Sequence, residues 1–93
     1  MYMGFDWDDA SIEKVARHQV RPDEAEQAVD DPHALSVQAY AAGGEVRFGL
    51  MGATVEGRVL VVIYTWRGDQ RRVVTAFPVN PRQERVYIER SSG

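Results

Sequence analysis

The sequence predicts an α+β domain with the element order β-α-α-β-β-β-α, in which an antiparallel sheet of about four strands packs against helices. Three observations carry this. Gly57 to Pro78 holds two runs rich in β-branched and aromatic residues around Gly68-Asp69, the composition of a hairpin. Glu45 to Leu50 alternates apolar with charged or small side chains, the period of a strand with one buried face. Behind Asp8, apolar residues recur instead at helical spacing.

Tyr2 to Trp7 alternates apolar and polar residues and reads as a short first strand at a sheet edge. Asp8 then caps a helix, because its carboxylate accepts the orphan amides of the first turn, and Asp9 adds favourable charge there. Ile12, Val15, Ala16 and Gln19-Val20 share one face of this helix, and Glu13, Lys14 and Arg17 the other. Arg21-Pro22 opens a second helix with proline at the first helical position. Ala25, Ala28 and Val29 form its thin apolar stripe, and Asp30-Asp31-Pro32 ends it. Aspartates at a helix C-terminus oppose the dipole, so local propensity does not explain them.

From His33 to Gly44 the pattern is weak: Leu35, Val37 and Tyr40 alternate, and Ala41 to Gly44 reads as a loop. The strand from Glu45 to Gly52 passes through Ala53–Glu56 into the run from Gly57. That run is almost wholly β-branched or aromatic and too short to span a bilayer, so it reads as a strand buried on both faces. Asn80-Pro81-Arg82-Gln83 has the form of a capping box before a last helix. This helix carries Val86, Tyr87 and Ile88 to about Arg90, with Ser91 to Gly93 as a frayed end.

Ninety-three residues suffice for one small domain with a marginal core, which an oligomer or a tight partner would help. There is no cysteine, so neither disulfides nor a thiolate metal site are available, and a reducing cytoplasm is expected. The acidic start lacks the features of a secretory signal, and no membrane association is expected. The net charge of −3 would argue against nucleic acid, but charge is unevenly spread. Residues 1–31 hold nine acidic and three basic side chains, whereas residues 57–93 hold seven arginines against three acids. The acidic first third is therefore expected to stay off RNA.

The basic end coincides with the hairpin. Arg67, Arg71 and Arg72 flank its turn, and Tyr64, Trp66 and Phe77 sit at the ends of its strands. Guanidinium groups beside aromatic surface suit phosphate and unstacked bases. The plain alternative is that they keep an exposed turn soluble. His18 and His33 lie at no metal-ligand spacing, and Gly43-Gly44 lacks the lysine and helix of a phosphate loop. None of the serines sits in a nucleophile elbow, and no cofactor is expected.

Several stretches, in their order and spacing, carry a family resemblance: Phe5-Asp6-Trp7-Asp8, Arg17-His18 with Val20, Asp31-Pro32, Glu45-Val46-Arg47-Phe48 with Gly52, Gly57 to Thr65, Arg67, Arg72-Val73-Val74, and Glu84-Arg85 with Tyr87. They resemble the BrnT family of bacterial type II toxins, which share the RelE-like ribonuclease fold. The resemblance implies a metal-independent RNA-cleaving toxin. It also implies a cognate antitoxin with a ribbon-helix-helix half, in a homodimer or a heterotetramer with that antitoxin. The family typically ends its last strand Ile-Ser-Ala-Arg, where this chain has Val74-Thr75-Ala76-Phe77. Its His-Ser pair before the second strand has no counterpart among Ala39–Gly44.

Cleavage through the RNA 2′-hydroxyl needs a proton acceptor, a proton donor and cations around the phosphorane. Arg67 and Arg72 are expected to supply the cations, provided the turn brings them and Arg71 to one surface. His18, Tyr64, Glu84 and Tyr87 are the candidates for proton transfer, and histidine is the side-chain type whose ordinary pKa lies nearest neutrality. A tyrosine in this role needs its pKa lowered by neighbouring arginines. Arg47, Trp66, Arg71 and Arg85 complete the set expected to contact RNA. Three readings stay open: a ribonuclease toxin, a non-catalytic module of the same fold binding an acidic partner segment or RNA, and a plain oligomerising domain.

Overall fold

The computed structural model describes residues 4–91. The elements are β1 (Phe5–Asp6), α1 (Asp9–Ala16), α2 (Pro22–Asp30), β2 (Leu35–Ala42), β3 (Glu45–Ala53), β4 (Val59–Arg67), β5 (Gln70–Pro78) and α3 (Pro81–Ser91). The five strands form one sheet in the order β1-β5-β4-β3-β2. All neighbours are antiparallel except β1, which runs parallel to β5 through Phe5 opposite Arg71 and Asp6 opposite Arg72. The α+β class holds, while the sheet is mixed and has five strands rather than about four. Tyr2 and Met3 of the expected first strand, and Ser92 and Gly93 of the expected frayed end, lie outside the described residues.

The extra strand is β2. Its residues Ala41 and Ala42 pair with Val46 and Glu45, so the turn shrinks to Gly43-Gly44. Both glycines have positive φ, 59° and 78°, which is the requirement of a tight hairpin turn with the twist of its strands. The alternation of β2 is weak because it gains an extra residue between Val37 and Tyr40, which breaks the period of two.

Local signals elsewhere act as expected. Asp8 accepts from the Ser11 amide at 2.8 Å and Ser11 Oγ accepts from the Asp8 amide, closing a capping box on α1. Asn80 and Gln83 do the same for α3. In α1, however, Val15 and Ser11 are the buried side chains, while Ile12 and Ala16 are exposed. The helix is rotated so that Ser11 of the cap turns inward while Asp8 stays exposed.

Apolar packing occupies both faces of the sheet. On one, Val15, Val20, Ala25, Ala28 and Val29 from the helices meet Leu50, Leu60, Val62, Val73 and Ala76. On the other, Tyr87 of α3 packs with Met51, Val59, Val61 and Ile63. β4 contributes to both clusters, as its unbroken apolar run required. Gly52 is where α2 meets the sheet: a methyl group there would overlap the backbone carbonyl of Ala28.

Asp31, disfavoured by the helix dipole, is retained for tertiary reasons. Its carboxylate accepts from the Ala53 amide at 2.8 Å, from the His33 amide at 3.0 Å, and from the Tyr87 hydroxyl. One side chain thus ties the end of α2 to β3 and to α3. Burial pushes the Asp31 carboxyl up, but the Tyr87 hydroxyl and the two amides outweigh it and leave it below the usual range. Burial, then the bond to Asp31, pushes the Tyr87 hydroxyl up to about 12.

A raised folded-state pKa stabilises fully below the unfolded value of 10.0, and that contribution disappears as pH rises toward about 12. Tyr87→Phe is expected to lower stability at neutral pH by about 1.5–3 kcal/mol, the range for a hydrogen bond to a charged group. It should also flatten the alkaline loss of stability between pH 10.0 and about 12. Denaturant titrations of both proteins at pH 8 and pH 11 check this; parallel curves at both would contradict it.

Candidate active site

A bulge in β5 decides which arginines meet. Val62 pairs with Ala76 and Ile63 with Thr75, but Tyr64 pairs with Val73, so Val74 is the extra residue. From there to the turn the facing of β5 is reversed. Arg72 lies opposite Thr65 and Arg71 opposite Trp66. Adjacent strand residues point to opposite faces, so Arg71 and Arg72 cannot share a surface. The expectation that Arg67, Arg71 and Arg72 converge is corrected here: Arg67 and Arg72 converge, and Arg71 does not.

The cleft they enter has a volume of about 340 Å³. The ends of three strands contribute Glu45 and Arg47 (β3), Thr65 and Arg67 (β4), and Arg72 and Val74 (β5). The opposite wall is the start and outer side of α1, with Asp8, Ser11, Glu13, Lys14 and Arg17. Five cations face three carboxylates in this lining. Part of the acidic first third thus forms the far wall of the cleft. Thr65 Oγ1 donates to the Val46 carbonyl at 3.0 Å, which occupies its hydroxyl in joining β4 to β3.

The arginines carry unequal loads. Arg72 is paired with Asp6 at 3.0 Å and with Asp8, and these bonds hold its guanidinium pKa up, the Asp8 bond most. The Asp8 carboxyl is held low by the Ser11 amide first and also by the Ser11 hydroxyl and Arg72. Arg72 thus clamps β1 and the α1 cap onto the hairpin. Arg67 is half exposed and meets one carboxylate, Glu45, at 3.2 Å. Arg47 lies 4.0 Å from the same Glu45, and its buried Nε has no hydrogen-bond partner among the described residues. Glu13 and Arg17 form an exposed pair at 3.1 Å.

The remaining candidates lie outside the cleft lining. The Arg71 guanidinium stacks 4.7 Å from the Trp66 ring and 5.2 Å from that of Tyr64, on the opposite face. Tyr64 in turn stacks on Phe48 at 5.7 Å. His18 is exposed beyond the end of α1, with its ring 5.8 Å from that of Phe77. Phe77, the point of departure from the family pattern, packs with the Tyr87 cluster, outside the cleft lining. Glu84 and Arg85 are exposed on α3. Tyr87 is buried against Asp31, and its raised pKa is the reverse of what proton abstraction needs.

Sequence reasoning missed Lys14, Arg17, Glu45 and Thr65. The available signal was spacing: Lys14 and Arg17 stand three apart on one helix face, and Glu45/Arg47, Thr65/Arg67 and Arg72/Val74 are i,i+2 pairs at adjoining strand ends. Among the described residues, no three His, Cys, Asp or Glu side chains are grouped to hold a metal ion. No helix among them is long and apolar enough to cross a membrane.

A small mixed sheet packed with helices is consistent with the RelE-like fold. The family of BrnT, the ribonuclease toxin of type II toxin–antitoxin systems, matches residues 7–83, and the chain belongs to this family. No curated protein matches the chain. It is thus a ribonuclease toxin, with RNA as substrate and a cognate antitoxin as partner. Of the three readings left open by the sequence, the family supports the enzyme.

Proposed function

We propose that RNA is cleaved in the cleft of Arg47, Arg67 and Arg72 without a metal ion, through attack of the RNA 2′-hydroxyl on the adjacent phosphorus. The observation that carries this reading is the meeting of Arg47, Arg67, Lys14 and Arg17 on one open cleft where cations outnumber carboxylates. Arg67 is the contact most readily surrendered to a phosphate. A solvent-exposed ion pair is worth only about 0–1 kcal/mol, and a forked guanidinium–phosphate contact exceeds that. Arg47, whose buried Nε makes no hydrogen bond among the described residues and lies 4.0 Å from Glu45, is the second donor. Lys14 and Arg17 across the cleft add charge that steers the backbone in.

Arg72 acts chiefly by position, since two aspartates already answer its charge. Trp66 and Arg71, at the same turn on the other face, are expected to contact RNA that passes round the hairpin tip away from the scissile phosphate. His18, Glu84, Arg85 and Tyr87 have no part in this reading. The antitoxin is expected to carry a ribbon-helix-helix half and to form a heterotetramer with the toxin.

Purified protein incubated with RNA and a chelator should yield fragments ending in 2′,3′-cyclic phosphate and 5′-hydroxyl. Fragments that form only when a divalent ion is restored would contradict the metal-free cleft. In cells, expression without the antitoxin should arrest growth, and co-expression should restore it.

A further inference from the structure

The geometry points to Glu45 as the general base that takes the 2′-hydroxyl proton, an assignment that rests on the cleft being the site of cleavage. Three carboxylates line the cleft, and two have other duties. Asp8 caps α1 and holds Arg72. Glu13 sits on the exposed side of α1, paired with Arg17 one turn on. Glu45 caps nothing. It stands directly after the Gly43-Gly44 turn, where the tight hairpin fixes the start of β3, and its carboxylate lies between Arg67 at 3.2 Å and Arg47 at 4.0 Å.

That position gives Glu45 two states. Without RNA it is the counter-ion of Arg67. When a phosphate takes the Arg67 fork, the carboxylate is released beside the bound phosphate, within reach of the neighbouring ribose. Glu45 then accepts the 2′-hydroxyl proton as the 2′-oxygen bonds to phosphorus. The bond from phosphorus to the 5′-oxygen breaks, and water gives that oxygen its proton. Glu45 returns its proton to the hydroxide so formed. The step closes with a 2′,3′-cyclic phosphate, a 5′-hydroxyl end and an ionised carboxylate, so no metal or redox partner is consumed.

Single-turnover cleavage of a short RNA, together with the Kd of its non-cleavable 2′-deoxy analogue, separates chemistry from binding. Glu45→Gln keeps the shape and a hydrogen bond to Arg67 but accepts no proton. Its cleavage rate is expected to fall at least 100-fold, within the range for general base catalysis, while the Kd is unchanged or tighter than the parent's, because Gln keeps the Arg67 fork and removes the carboxylate that competes with phosphate for it. Glu45→Asp, still a carboxylate, should recover part of the rate. Glu45→Gln cleaving as fast as the parent would overturn the assignment and leave the cleft reading intact. A loss of affinity matching the loss of rate would also overturn it, since Glu45 would then only hold the arginines in place. If Arg67→Ala cleaves like the parent, the cleft reading falls, and the assignment falls with it.

Discussion

Arg67→Ala should lower the single-turnover rate of RNA cleavage by about 10²–10³-fold, the usual loss for one well-aimed donor at a developing oxyanion. The size follows from its place. Arg67 is half exposed, has one carboxylate partner and opens into the cleft, so its fork is the one most available to a non-bridging phosphate oxygen. Arg67→Lys keeps the charge but loses the two-pronged geometry, and should fall between the parent and the alanine variant. Arg82→Ala, exposed on α3 and outside the cleft lining, should leave the rate unchanged. Equal rates for Arg67→Ala and Arg82→Ala would remove Arg67 from the chemistry.

Gly52→Ala is expected to damage the fold severely, at about 3 kcal/mol or more, the upper end for overpacking. The added methyl would meet the Ala28 carbonyl of α2, and backbone cannot swing aside as the end of a long side chain does. Relief requires α2 to lift off β3. That would strip cover from Ala25, Ala28 and Val29 and pull Asp31 away from the Ala53 amide. Urea unfolding measures the loss; a midpoint within error of the parent would show that α2 is not seated on Gly52.

What the sequence disclosed was what local chemistry controls. Asp8, Pro22 and the Asn80–Gln83 box mark helix starts because caps are satisfied within a few residues. The β4–β5 hairpin was legible because its composition and its turn agree. The same logic failed wherever an extra residue interrupts a strand. β2 lost its period to the irregularity after Val37, and the bulge at Val74 reversed the facing of Arg71 and Arg72 without any compositional mark. Asp31 was visible as an anomaly but not as a tie, since its partners Ala53 and Tyr87 come from far along the chain. Ion pairing was similarly hidden. Arg72 reads as a free cation in a basic segment, yet its counter-ions Asp6 and Asp8 come from the acidic end.

The two-ended charge therefore serves more than RNA attraction. One pair of acids fastens the first strand and helix to the hairpin through Arg72, while the cations without so tight an answer remain on the cleft wall. Removing Arg72 is expected to loosen β1 and α1 as well as slow cleavage, which is why Arg67 gives the cleaner kinetic variant.

The most direct test is to titrate the isotopically labelled protein with a 2′-deoxy oligonucleotide and follow backbone and guanidinium NMR resonances. Occupation of the cleft predicts the largest shifts at Arg47, Thr65, Arg67 and Lys14, with the α2 residues Asp23 to Asp30 unmoved. Shifts concentrated on α2 or α3, with Arg47 and Arg67 silent, would contradict it.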